Sequence, residues 1–293
     1  MGTFPEMQTW LTVALQKSKD GKYEHALARE VGNTRSTVLP RLKVLVAEAH
    51  DDARRRLRDL VGPSLDPLGE EEVVDPAKGY PEKFHIQTLK GYFGEVMAGL
   101  AAENLRPFGH DDWEVPVHLF RYHIVEFQQL DLMDQTGDDA KLRPGRTGDD
   151  CLAFRRNQSG DVIAVLFCEA KCTKDHDAGL IADAHKKSSL ANLRPVDLPQ
   201  VIEVLRDSKD AKAQGWIDAL RKLYLKGSHP GAGCERVDQI TYVCGRQPVL
   251  KGKTTWISTA KPHTKYTAGR RLHVAELQLN AIEELVKSVY GVV

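Results

Sequence analysis

Apolar side chains recur at spacings of three to four along much of the chain, and that periodicity predicts helices before anything else. Over residues 6–60 the positions are Leu11, Val13 and Leu15, then Leu27, Ala28 and Val31, then Val38, Leu39, Leu42, Leu45 and Val46, ending in the charged stretch DDARRRLRDL. These spacings predict a helical N-terminal lobe over residues 1–65. Within it, LAREVGNTRSTVLPRLKVL is arranged like a helix-turn-helix, with Gly32 in the turn and Ser36-Thr37 opening the second helix. Pro40 falls about four residues into that second helix, beyond the first turn where proline is best tolerated. Residues 61–82 hold four prolines, three glycines and an acidic cluster, the composition of a linker. The domain boundary is therefore placed at 66–82, with a second domain over 83–293.

From His85 to Leu105 the pattern is again helical. Leu89, Phe93, Val96 and Leu100 form one stripe, while Gly91, Gly94, Ala98 and Ala102 form a second face that permits close approach of a sheet, with Glu95 at its border. A strand-like run follows at VPVHLFRYHIV, then a polar stretch. DCLAFRR and VIAVLFCEAK come next, two strands around NQSGD, whose Ser159-Gly160 is a turn signal. Beyond this hairpin the pattern predicts helices at about 178–192 and 197–226, strands at QITYVCG and RRLHVAEL, and a closing helix at about 277–290. Helix, hairpin, helices, strand and helix make an α/β class with a mixed sheet flanked by helices.

Composition narrows the class without changing it. With 41% hydrophobic and 28% charged residues, the chain has neither the polarity of a disordered segment nor an apolar run able to span a bilayer, and its first residues lack a secretory signal. A cytoplasmic protein with no membrane partner is expected. Five cysteines, an odd number without a Cys-x-x-Cys pair, suggest neither a disulfide framework nor a zinc site. The formal charge of zero hides an asymmetry: 12 basic and 13 acidic groups lie in residues 1–80, 11 and 17 in 81–180, and 18 and 11 in 181–293. Such polarity suits a chain that holds cations in one place and a polyanion in another.

The chemistry concentrates on the hairpin. Alternation puts Ile163, Val165, Phe167, Glu169 and Lys171 on one face of the second strand, so a carboxylate and an ammonium end a buried apolar row. A turn centred between Ser159 and Gly160 pairs residues whose numbers sum to 319, which sets Asp150 across from Glu169. Asp149 then falls on the other face. Opposed carboxylates about 4.5–5.5 Å apart at Cβ repel unless compensated. They suit a hard divalent cation, and Mg²⁺, with Mn²⁺ as a substitute, favours one or two carboxylates, waters and a substrate phosphate. Lys171 would orient an attacking water or neutralise charge on phosphorus. Of the other polar side chains, Glu103 reads as a local cap or pair, and His176 and His185 as solvated.

Gly148-Asp149-Asp150, the hairpin, and Glu169-Ala170-Lys171 together resemble the PD-(D/E)XK nuclease superfamily. The resemblance implies a restriction-endonuclease-like fold, metal ligation by Asp150 and Glu169, a catalytic role for Lys171, and an acidic residue on the preceding helix, which Glu95 in KGYFGEVMAGL matches. More narrowly, the order of these motifs over about residues 85–190 resembles the nuclease subunit of Hachiman-type antiphage systems, which implies a role in antiviral defence or restriction, DNA as substrate and a helicase subunit as partner. A homodimer is a further option. One departure stands out: no Gln-containing motif follows the E-x-K strand, although Lys186 and Lys187 lie where a substitute would sit. Between Gln239 and Ala275, Arg246, Lys251, Lys253, Lys261, Lys265, Arg270 and Arg271 occur without any acidic residue, interleaved with Trp256, His263 and Tyr266. That segment is a candidate nucleic-acid surface with aromatic stacking platforms. The alternative is a non-catalytic nucleic-acid-binding regulator that uses residues 27–46.

Overall fold

The computed structural model describes residues 4–61, 75–120, 150–190, 198–207, 211–225, 233–249 and 252–292. One six-stranded mixed sheet organises them. Its strands are β1 Leu11–Lys17, β2 Tyr23–Glu30, β3 Cys151–Arg156, β4 Val162–Thr173, β5 Glu235–Cys244 and β6 Arg271–Gln278, in the order β1-β2-β6-β5-β4-β3. The β1–β2 and β3–β4 pairs are antiparallel, and β2–β6, β6–β5 and β5–β4 are parallel. Two hairpins thus flank a parallel centre, and the α/β class with a mixed, helix-flanked sheet is borne out.

The N-terminal reading is corrected. Residues 11–17 and 23–30 are strands, and β2 pairs over seven positions with β6 at the centre of the sheet. Phe4, Met7, Trp10, Leu11 and Ala28 share a core with Leu89, Phe93, Leu277 and Leu285, so this segment is built into the α/β body. Helices do follow, α2 Arg35–Ala49 and α3 Asp51–Val61, after the short α1 Met7–Trp10. The supposed first helix of the helix-turn-helix is β2, so no such motif forms over 27–46. Pro40 sits inside α2, near its N-terminal end. Of the expected 66–82 linker, residues 66–74 lie outside the described residues.

Helix α4 Ile86–Asn104 lies against one face of the sheet as the small-residue pattern requires. A Cβ added at Gly94 would lie 3.1 Å from the Cβ of Cys172, and one at Gly99 3.4 Å from the sulfur of Cys151. Ala98 and Ala102 pack on Cys151, Ala153 and Cys168, whereas Gly91 is exposed and takes no part. Gly94→Val therefore drives branched methyls into β4, and we expect it to cost about 1–3 kcal/mol in urea denaturation, against little change for Gly91→Ala.

On the other face lie α5 Ala178–Leu190, α6 Leu198–Asp207 and α7 Ala211–Leu225, where one helix had been expected over 197–226. Leu152, Phe154, Val165 and Phe167 point to these helices, and Trp216 and Leu220 meet them. Helix α8 Ile282–Tyr290 closes the chain against α4. The strand expected at 115–125 is not seen over 115–120; Glu114 makes one isolated bridge to Phe154, and 121–125 lie outside the described residues. No helix among the described residues is long and apolar enough to cross a membrane.

Candidate carboxylate and ammonium site

Strand β3 pairs with β4 in the expected register. Cys151 faces Cys168 and Leu152 faces Phe167, a sum of 319 held until a bulge at Arg155/Arg156, and Gly160 takes the left-handed turn conformation at φ +80°. Asp150, one residue before β3, therefore lies across from Glu169. Its Oδ2 accepts the Ala170 backbone N–H at 2.8 Å. Gly148 and Asp149 lie outside the described residues.

Two lysines answer the two acids. Lys171 Nζ lies 3.1 Å from Glu169 Oε1 and 3.1 Å from Asp183 Oδ2. Lys187 Nζ spans the pair, 2.6 Å from Glu169 Oε2 and 3.5 Å from Asp150 Oδ1. Asp183 and Lys187 are four residues apart on α5, so one helical face supplies both. Sequence reading missed Asp183 and noted Lys187 only as a stand-in. Their i,i+4 spacing on the helix after the E-x-K strand was the available signal.

Electrostatically the site is strained toward holding positive charge. Glu169 is 5% exposed, and burial together with the neighbouring Asp150 carboxylate pushes its carboxyl up to about 7, although Lys187 and Lys171 pull the other way. Burial works against the ammoniums of Lys171 and Lys187, yet the adjoining carboxylates outweigh it and both pKa values are raised. Lys187→Ala removes the bridging cation, so we expect the Glu169 carboxyl to titrate higher still, read by carbon NMR of labelled glutamate. A lower or unchanged midpoint would contradict the bridging role.

Neither a protein-family model nor a curated protein matches this chain.

Glu95 is brought near in sequence terms but not into a metal set. It is buried on α4, which packs over Ala170 and Cys172, the face of β4 opposite to Glu169. Its carboxylate is among the charges that raise the phenols of Tyr80, Tyr92 and Tyr290. Among the described residues no three Asp, Glu, His or Cys side chains converge closely enough to hold a metal, so Glu95 does not complete a three-carboxylate site. His185 is buried, with its ring nitrogen on the Ile181 carbonyl, and burial lowers its pKa to about 4. His176 stacks on Trp256 at 4.0 Å. Glu103 accepts the Val115 N–H, a backbone cap. All five cysteines are free thiols, three of them buried.

The basic segment is divided by the sheet. Leu272 and Arg270 belong to the face that carries Glu169, but Arg271 turns to the other, paired with Glu235 and stacked over Phe108 at 3.8 Å. Arg246 pairs with Asp175, Lys253 and Lys265 are exposed, and Lys251 lies outside the described residues. Tyr266 is a buried hydrogen-bond donor to Asp238, not a stacking platform. Glu276 of β6 pins the segment: its two oxygens accept the Trp256 and Ile257 N–H groups and a hydrogen bond from Gln278, beside His25.

Proposed function

We propose that the chain is a Mg²⁺-dependent nuclease of the PD-(D/E)XK type, acting on DNA in the cytoplasm in antiphage defence or restriction, with a helicase subunit as partner. One observation carries this reading: a single ammonium, that of Lys187, lies across the Asp150 and Glu169 carboxylates, where a bridging cation belongs. The donor set suits a hard divalent ion, two carboxylates with the remaining positions left to water and phosphate. Asp150 and Glu169 would hold it, and a bound ion of this kind supplies Lewis-acid charge for the phosphoryl oxygens and a more acidic water.

The chain's own groups do the rest. Asp183 and Glu169 fix the Lys171 ammonium, which can donate to an attacking water or to the oxygens that gain charge as the phosphodiester bond breaks. Lys187 neutralises the two acids, and with a metal held between them its ammonium would be free to pair with the polyanion. The non-catalytic alternative loses its recognition element, since residues 27–30 are strand.

Incubating the chain with duplex and single-stranded DNA, with Mg²⁺ or with chelator, tests the reading; metal-dependent scission supports it, and equal products in chelator count against it. A binding test runs beside it. Because burial and Asp150 hold the Glu169 carboxyl up at about 7, its contribution to stability is intact below the ordinary carboxylate range and is lost as pH rises through about 7. Metal must displace that proton, so Mg²⁺ should raise the melting temperature by a few degrees at pH 8 and by less at pH 6. The shift should vanish in Asp150→Asn/Glu169→Gln; a shift that is independent of pH, or that survives in the double variant, would speak against the site.

A further inference from the structure

A second charged feature lies on the same face of the sheet as the carboxylates, three strands away. A cavity of about 870 Å³ opens between the β1–β2 turn and the segment before β6. Five basic side chains line it, Lys17, Lys19, Lys22, Lys261 and Arg270, against the single carboxylate of Asp20. Asp20 is spent on the turn, accepting from the Ser18 hydroxyl and the Lys22 N–H. Lys17 is answered by the buried Glu24, but Lys19, Lys22 and Lys261 form no ion pair among the described residues.

Arg270 is held in the lining by the buried Asp238, at 2.9 Å, which also accepts from Tyr266 and pairs with Arg236. Five basic groups against Asp20 leave a positive surplus in a partly enclosed space, where the field of fixed charge is strongest. Its volume falls within the range of sites that enclose ligands.

The cavity is tied to the carboxylate site through α5. Arg270 donates to the Ser188 carbonyl at 2.9 Å, and Ser189 Oγ accepts the Thr267 N–H at 2.9 Å. The preceding residue, Lys187, is the one bridging Asp150 and Glu169. Glu169 pairs across the sheet with Ile240, which pairs with Val274, which pairs with His25 of β2. Three strand spacings, roughly 14 Å, separate Glu169 from His25, and the cavity lining begins two residues before His25, at Tyr23.

We infer that this cavity seats the phosphates of a nucleic-acid strand whose neighbouring backbone reaches the Asp150–Glu169 pair. This deepens the nuclease reading and rests on it for the strand's path, but not for binding itself. The β1–β2 turn, KSKDGK, thereby becomes part of the substrate surface, together with Lys261 and Arg270 of the later segment.

The test is binding of a fluorescent 12-nucleotide single strand by the full chain in chelator, followed by anisotropy across a salt series. Lys19→Glu/Lys22→Glu and, separately, Lys261→Glu should each weaken binding at least tenfold at low salt. The double variant should also flatten the slope of log affinity against log salt by about 1.4, near 0.7 per lost phosphate contact on a single strand. Lys287→Glu, on the exposed side of α8, should leave both unchanged. Parent-like affinity and slope in both cavity variants would overturn the inference, as would pyrophosphate or a mononucleotide binding there more tightly than the strand. A chain that cuts nothing with Mg²⁺ but shows the lysine-dependent slope refutes the nuclease reading and leaves the cavity's role standing.

Discussion

Glu169→Gln is expected to abolish Mg²⁺-dependent cleavage while leaving strand binding within about twofold of the parent chain. The substitution keeps the shape of the side chain and removes the charge that Asp150 and the two lysines are arranged around. A neutral amide is a poor ligand for Mg²⁺, and it no longer fixes Lys171 by an ion pair, so two contributions fail together. Loss of one preorganised electrostatic partner costs about 10²–10³ in rate, and loss of the ion's site costs more. Asp150→Asn should act alike, since Asp150 is the other arm of the pair. Lys171→Ala should lose about 10²–10³ while retaining the Mg²⁺-dependent thermal shift, because Lys171 is not a ligand. Gel-based cleavage under single-turnover conditions gives the rates. A Glu169→Gln chain that cuts within a factor of two of the parent would remove the basis for placing the chemistry at this hairpin.

A fragment of residues 66–293 is expected not to fold. The sheet explains why. Removing β1 and β2 leaves β6 without one of its two partners along seven pairs, in the middle of a buried parallel sheet. It also strips Phe4, Met7, Trp10, Leu11 and Ala28 from the core that holds α4 and α8. The point version is Trp10→Ala: the indole is fully buried, packs against Phe4, and donates to Glu30 at 3.0 Å. Truncating such a side chain costs about 3–5 kcal/mol, a large share of the stability of an ordinary domain. Urea denaturation of Trp10→Ala gives the cost, and near-ultraviolet circular dichroism reports on the fragment. Cooperative unfolding of 66–293 with a native-like spectrum would restore the two-lobe picture.

The hairpin was legible because its signals agree. Ser159-Gly160 sets the turn, the apolar residues alternate on both strands, and the register then follows from simple pairing. Helix α4 was legible for the same reason, since its apolar stripe and its small-residue face are both used. The N-terminal hairpin was misread although part of its signal was present: Leu11, Val13 and Leu15 alternate, and Asp20-Gly21 marks a turn. Strand β2, by contrast, reads YEHALARE, rich in good helix formers, and two of its polar side chains, His25 and Arg29, find their partners on β6 more than 240 positions away. Tertiary pairing overrode local propensity there. The site was legible as far as Asp150, Glu169 and Lys171. Asp183 and Lys187 complete it from α5, and only the packing of that helix over β4 brings them in. Arg271 shows the converse limit, because adjacent residues on a strand point to opposite faces and a run of basic residues is split by the pleat.

The pinning of the basic segment by Glu276 bears on how the surface would meet a polyanion. A segment tethered at Trp256 and Ile257 to a fully buried carboxylate has already surrendered much of its backbone freedom when the chain folds. Association then has less ordering entropy left to offset, and more of the electrostatic attraction appears as affinity. The proposed recognition surface would thus be preorganised by the same strand that anchors the centre of the sheet.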